Sequence, residues 1–553
     1  MPFSKRRNTT FAALAAMLLA ACGSDDEPTP GPGPGPGPDP DPDPVQVVSE
    51  VIALTASGRL VSFQRDTPGT LTSNVAVTGL ASGESLVGID YRPVDAQLYG
   101  LTSGGKIVTV APDTGAVTVK STLMADASDT SEPFTALSGT DFAVDFNPAA
   151  DRLRVVSDTG QNLRINVDTG GTITDGAING GNTGAQITGA AYTNSFPETV
   201  NTRLFVLDAA TDTVYLQNPP NDGTLSSPAA LGVDATAVNG YDIDARTNVG
   251  YAALTVGGTP RLYRIDPSNT TAAATELAVI GGGEPIKGLA MKQATGIEVV
   301  GLTADHQLVR AAASAPNTLL SSVPVTGVAE GETLLGIDMR PADRQLYALS
   351  SAGKLYTVDA RTGVATAKAT LAADASDTTE PFTALAGEHF VIDFNPVADR
   401  LRVVSDTGQN LRINVDTGAT TTDGVIQRDA GDAVVFGAAY TNSVPGAAAT
   451  TLYDLERSGN VLTRQDPPND GTLVDVGALG VTFVGAVGFD IAGGDNGLPL
   501  VAGRTSDSGP YVLYQVNLMT GATSHFPRGA TSAELGAIGG ASGPELRDIA
   551  IVY

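Results

Sequence analysis

The sequence predicts an all-β chain carrying two tandem β-propellers of about five four-stranded blades each, and three observations lead there. A long segment is spelled twice, short strand-like runs recur about every 45 residues within each copy, and runs with helical spacing are scarce. The chain has 553 residues, of which 42% are hydrophobic, so packed cores rather than disorder are expected over most of its length.

The N-terminus reads as an address. Lys5, Arg6 and Arg7 precede an unbroken apolar run of eleven residues, Phe11 to Ala21. That is too short to cross a hydrocarbon layer roughly 30 Å thick as a helix, so it is a signal core and not a membrane span. Leu19-Ala20-Ala21-Cys22-Gly23 follows, with Cys22 the one cysteine of the chain. It resembles the bacterial lipobox, in which small residues admit the peptidase and the thiol becomes the lipid-bearing group. Cys22 is therefore the expected lipidation site. Gly23 in place of Asp implies, by the same resemblance, the outer membrane of a Gram-negative cell. A lone cysteine also excludes an intramolecular disulfide. Pro28 to Pro44 carries proline at every second position, which forbids helix and ladder alike. Seventeen such residues reach on the order of 50 Å and hold the folded part off the membrane. The expected divisions are thus 1–22 signal peptide, 23–45 tether, 46–293 first propeller and 294–553 second propeller.

The repeat is explicit. Asp145 to Arg164 returns 248 positions later as Asp393 to Arg412, with Val397 for Ala149 the single change. The same offset relates Gly88-Ile89-Asp90 to Gly336-Ile337-Asp338, and Pro219-Pro220-Asn221-Asp222-Gly223 to Pro467-Pro468-Asn469-Asp470-Gly471. Within a copy, Leu86 to Tyr91, Gln97 to Leu101, Lys106 to Val110 and Ala116 to Val119 are four strands joined by an Arg-Pro break, Gly104-Gly105 and Asp113-Thr114-Gly115. Such units read as propeller blades. Val51 to Val77 lacks a first strand, which Ile286 to Met291 is placed to supply, as Leu546 to Tyr553 is for the second copy. One ring of about ten blades, with Leu546 to Tyr553 pairing Val51 to Ala56, is the alternative.

The Gly-Ile-Asp, Gln-Leu-Tyr, Asp-Phe-Asn-Pro and Asp-Arg-Leu-Arg-Val-Val-Ser-Asp-Thr-Gly-Gln-Asn-Leu-Arg segments resemble a bacterial secreted family catalogued only as a domain of unknown function and grouped with β-propellers. The likeness spans nearly all of 51–553, twice. It implies a fold and no catalytic residue.

Chemistry is sparse. A net charge of −28 repels nucleic acid and anionic headgroups, so no nucleic-acid partner is expected and the membrane is met through the lipid anchor alone. Strand alternation puts Arg152 and Arg154 on one face, and Asn162 and Arg164 on one face of the next strand, with Arg400, Arg402, Asn410 and Arg412 as their copies. Asp158 and Asp406 follow in the adjoining turns. These residues read as an Arg/Asp network joining blades, with Asp145, Asp151, Asp158 and Asp168 as candidate partners, or as a clamp for a carboxylate, phosphate or sulfate. The Asp-Thr-Gly turns at Asp113, Asp158 and Asp168 lack the oxygen density calcium needs, so no metal and no cofactor is expected. His306, His389 and His525 are not duplicated between copies, which disfavours a triad or zinc site. Tyr99, Tyr192, Tyr347 and Tyr440 belong to packing rather than sugar stacking. The expected function is a cell-envelope binding or scaffold module for a protein, peptide or glycan. An extracytoplasmic hydrolase or lyase with carboxylate or arginine chemistry on a propeller face is the alternative.

Overall fold

Runs of four to nine residues rich in Val, Ile, Leu, Thr and Tyr pair into ten sheets of four or five strands, five sheets per copy. The computed structural model describes residues 50–292, 296–429, 433–494, 497–527 and 536–552. The signal peptide, the lipobox Cys22 and the Pro-rich tether lie outside the described residues.

Each copy closes on itself. Val51–Thr55 pairs antiparallel with Ile286–Met291, placing Ile52 opposite Ala290, and Glu298–Thr303 pairs with Leu546–Val552, placing Val300 opposite Ala550. The last strand of each copy therefore completes its first blade, and the single ring of ten is excluded. Around the first axis the inner strands are Ile286–Met291, Leu86–Tyr91, Phe142–Asn147, Ile187–Tyr192 and Ala235–Ile243. Each contacts the next, and the fifth returns to the first. The second axis repeats this with Leu546–Val552, Leu334–Met339, Phe390–Asn395, Val435–Tyr440 and Val484–Ala492. The axis is crowded. A Cβ at Gly240 would lie 2.5 Å from Leu289 N, and one at Gly488 2.5 Å from Ile549 N, so only glycine lets these inner strands meet.

Apolar side chains fill the space between successive blades. Tyr99, Leu101 and Ile107 of the second blade pack on Phe142, Val144 and Phe146 of the third. Tyr99 and Tyr192 are each 1% exposed, so both are core residues. The outermost strands alternate with solvent, as in Leu71–Ala76. In the third and fourth blades a further two-residue strand arrives from the preceding connection: Met124–Ala125, for example, pairs parallel with Gly171–Thr172. The expected four-stranded blade thus gains a fifth strand, which satisfies the backbone of an exposed edge.

The rings meet through loops at the ends of their inner strands. Phe196, 3% exposed, enters an apolar cluster with Leu498, Leu500 and Leu513 of the second copy. Val200 N donates to Gly497 O at 2.8 Å, and Thr199 Oγ1 to the same oxygen at 3.0 Å. Asn194 Nδ2 donates to Gly494 O at 2.5 Å. A Cβ at Gly493 or Gly497 would come within 2.8 Å of the Phe196 ring, so the receiving loop is shaped by glycine. The starting ends of the second ring's inner strands face away from this junction.

Candidate functional site

Three groups of polar residues stand out, and the duplicated arginine segment is the first. Arg154, on the strand Arg152–Ser157, is 1% exposed. Its Nε donates to Tyr192 Oη at 3.2 Å, Nη1 to Asn162 Oδ1 at 2.8 Å and Asp175 Oδ2 at 2.6 Å, and Nη2 to Asn221 Oδ1 at 2.7 Å. Arg164 grips the same Asp175 with two bonds of 2.6 and 2.8 Å. Asn162 Nδ2 reaches the Pro220 carbonyl at 3.0 Å. Arg402, Asn410, Arg412, Asp423 and Asn469 repeat the arrangement. The third and fourth blades are therefore locked together, which is why both the arginine segment and the Pro-Pro-Asn-Asp-Gly segment stay alike in the two copies.

The acidic partners differ from those expected. Asp151 and Asp168 bind Arg92, at 2.6 and 2.9 Å, and so tie the second blade to the third. Asp158 accepts from Thr140 N and Oγ1, at 3.0 and 2.8 Å. Asp406 accepts from Glu388 N at 3.0 Å. Arg152 and Arg400 donate to the carbonyls of Asp151 and Asp399, at 2.8 and 2.9 Å, outside the network. Asp145 belongs elsewhere, to the second group.

That group lies on the ring axis. Asp90, Asp145 and Asp242 occupy equivalent positions on three inner strands, with oxygens all within 4.8 Å of one another; Asp338, Asp393 and Asp490 do the same in the second ring. An inner strand is a sheet edge, and its axial N–H groups have no ladder partner. The aspartates provide one. Asp90 accepts from Phe146 N at 2.7 Å, Asp145 from Tyr192 N at 2.9 Å and Asp242 from Met291 N at 2.5 Å, each on the following blade. Asp338, Asp393 and Asp490 accept likewise from Phe394, Tyr440 and Ile551. In the second ring Asp548 adds a further link to Ile337 N at 3.0 Å.

Burial pushes all of these carboxyls up, Asp242 to about 7 and Asp490 to about 6, and mutual repulsion adds to the rise at Asp90, Asp145, Asp338 and Asp393. The triads are the groups that could hold a cation. Five of the six oxygens of the first triad nevertheless already accept a backbone N–H, a thin shell for an ion that takes six to eight oxygens. Burial and mutual repulsion favour the protonated form of these carboxyls. Asp454, fully buried where the first copy has Val206, has no hydrogen-bond partner for either oxygen, and burial lifts it to about 8.

The third group opens the second ring. All five inner strands begin around a mouth of about 570 Å³, lined by Leu335, Phe390, Val435, Val487 and Leu546, with Arg457, Arg504 and Arg547 among the polar residues. His389 and Asp406 also line it. The first ring is closed here, with only about 20 Å³ between Val87, Asp141, Thr188, Asn239 and Lys287. Asn239 Nδ2 and Thr188 Oγ1 bond across that opening at 2.9 Å. Val487 and Phe436 hold the same positions in the second ring; unable to make that bond, they turn into the apolar cluster of Leu455, Phe489 and Tyr514 and leave the mouth clear.

Residues 59–290 and 307–539 both match the family described as Domain of unknown function (DUF4394). The chain belongs to that family. No curated protein matches its sequence. Among solved structures, a chain of a nidogen/laminin complex is 12% identical with a TM-score of 0.29, covering 44% of this chain and 97% of its own. A Lactobacillus plantarum protein is 17% identical with a TM-score of 0.25, over 64% and 95%. The Dos1 propeller is 11% identical with a TM-score of 0.25, over 64% and 86%.

Two consequences for this tandem DUF4394 chain can be measured. Arg154→Ala leaves Asp175 with Arg164 alone and takes the closest donor from the buried Asn162 Oδ1, and with Arg402→Ala it should cost about 1–3 kcal/mol per ring. Denaturant unfolding checks this, and an unchanged midpoint would contradict it. The axial carboxyls and the buried Asp454 carry folded-state pKa values above the ordinary unfolded value, so the folded state binds more protons and stability falls as pH rises towards and through 6 to 8. The melting temperature should therefore be higher at pH 5.5 than at pH 8, and Asp242→Ala with Asp490→Ala should flatten that slope. A melting temperature that rises over this interval would contradict the assignment.

Proposed function

We propose that this chain is a cell-envelope lipoprotein that presents a duplicated β-propeller as a binding module, with the mouth of the second ring as its binding face. In this reading acyl chains on Cys22 anchor the protein in the outer membrane, facing the periplasm or the cell surface. The Pro-rich segment holds the rings clear of the headgroups.

The observation that carries the reading is the contrast between two rings of one skeleton. The buried Arg154 and Arg402 networks and three axial aspartates recur in both, as structural needs require. The mouth is not. Its volume of about 570 Å³ lies in the range of ligand pockets, whereas the first ring bridges the same opening with a side-chain hydrogen bond. Five strands of a rigid ring frame the opening, so little conformational entropy is lost when a ligand enters. The first ring then serves as support, joined through Phe196 at the opposite end.

The test grafts the first ring's bridge onto the second as Phe436→Thr with Val487→Asn, and screens envelope-derived metabolites, glycans and short peptides by thermal shift. Ligands should raise the melting temperature of the natural chain, while the grafted variant, which melts lower because Phe436 and Val487 leave the apolar cluster, should show no shift from its own unliganded value. Hits that shift both proteins equally would refute the mouth as the binding face.

A further inference from the structure

We propose that the mouth of the second ring takes a small organic anion, its charged end met by Arg457, Arg504 and Arg547 and its apolar body lying on Val435, Phe436 and Val487. The proposal rests on the reading of the mouth as a binding face and adds the chemistry of what it binds.

The charge is concentrated where the chain can least spare it. Only 32 basic residues stand against 60 acidic ones, yet three arginines converge on one opening. They come from three blades. Arg457 follows the strand Leu452–Glu456 of the fourth, Arg504 ends Leu498–Arg504 of the fifth, and Arg547 lies on the closing strand Leu546–Val552. In the first ring the matching positions are Ala209, Thr255 and Lys287. The cationic cluster is thus peculiar to the open ring.

The donors are not used up by the protein. Arg504 Nε and Arg547 Nε are buried and make no hydrogen bond. Among the described residues, Arg457 and Arg547 form no ion pair, and Arg504 is paired with Glu545, a carboxylate 58% exposed at 3.0 Å. Of the other acids at the rim, Asp406 is engaged by Glu388 N at 3.0 Å, and Glu388 is exposed. The Arg457 guanidinium lies 4.5 Å over the Phe436 ring, and Nη2 donates to the Gly485 carbonyl at 2.7 Å, so the fork is held flat against an aromatic floor. Burial lowers its affinity for its proton, the sign of a cation short of a counter-charge. A guanidinium is a planar fork that matches a carboxylate or phosphate edge. A ligand with such a group would pair with the guanidinium groups that line the mouth, and the apolar wall would cover the rest of it.

The experiment uses the folded lipid-free chain with 1-anilinonaphthalene-8-sulfonate as a fluorescent probe, displaced by benzoate, phenyl phosphate or the neutral benzyl alcohol. The probe should bind at one site, the two anions should displace it, and benzyl alcohol should do so poorly. Arg457→Gln with Arg547→Gln should weaken anion binding by about tenfold or more, while Lys287→Ala in the first ring changes nothing. The ranking of benzoate against phenyl phosphate tells which anion the fork prefers. Equal displacement by benzyl alcohol, with the arginine variants binding as the natural chain does, would overturn the anion proposal and leave the mouth as a neutral-ligand site. Absence of any binding that the Phe436→Thr, Val487→Asn graft removes would sink the binding-face reading as well.

Discussion

The structure depends on how a ring of inner strands satisfies the backbone it turns towards its own axis. Every blade ends there in a strand edge, and the inner strands approach so closely that glycine is required at Gly240 and Gly488. An unpaired N–H in such a place costs about 1–3 kcal/mol. Aspartates at one strand position in three of the five blades accept the amide of the next blade, and so tie the second sheet to the third, the third to the fourth and the fifth to the first. The carboxyls are then forced together, and burial with mutual repulsion raises their pKa values.

Duplication exposes which parts of the ring are obligatory. Arg154, Asp175 and Asn221 recur as Arg402, Asp423 and Asn469 with the same bonds, because a guanidinium enclosed between two blades tolerates no missing acceptor. The opening at the start of the inner strands carries no such constraint. There Thr188 and Asn239 have given way to Phe436 and Val487, and arginines have gathered around the space that resulted. The Arg154 network recurs between the copies with its bonds intact, whereas the polar groups at the start of the inner strands do not.

Much of the architecture was legible before any coordinates. The offset of 248 residues, the strand-and-turn rhythm and the unpaired first blade together announced two rings closed by Ile286–Met291 and Leu546–Val552. The arginine segment was legible as a unit but not in its pairing. Strand alternation places Arg154 on a face, yet Asp175 and Asn221 come from a later turn and another blade, which no local pattern links. Asp90 and Asp145 stood inside the recognised motifs and Asp242 outside them, and only the closing of the ring brings the three within 4.8 Å. The second ring's mouth escaped because attention to residues repeated in both copies discards Arg457, Arg504 and Arg547, which matter through their difference from the first copy. His389 was set aside for the same reason, and it lines that mouth.

The axial aspartate links are open to direct measurement by native-state hydrogen exchange at the amides of Phe146, Tyr192, Met291, Phe394, Tyr440 and Ile551. If carboxyls on neighbouring blades hold them, they exchange only when a whole ring opens, as slowly as the central ladder amides of Val155 and Val403. Exchange of these amides ahead of the surrounding strands would mean that the aspartates do not bind the blades together, and the account of the ring would fail.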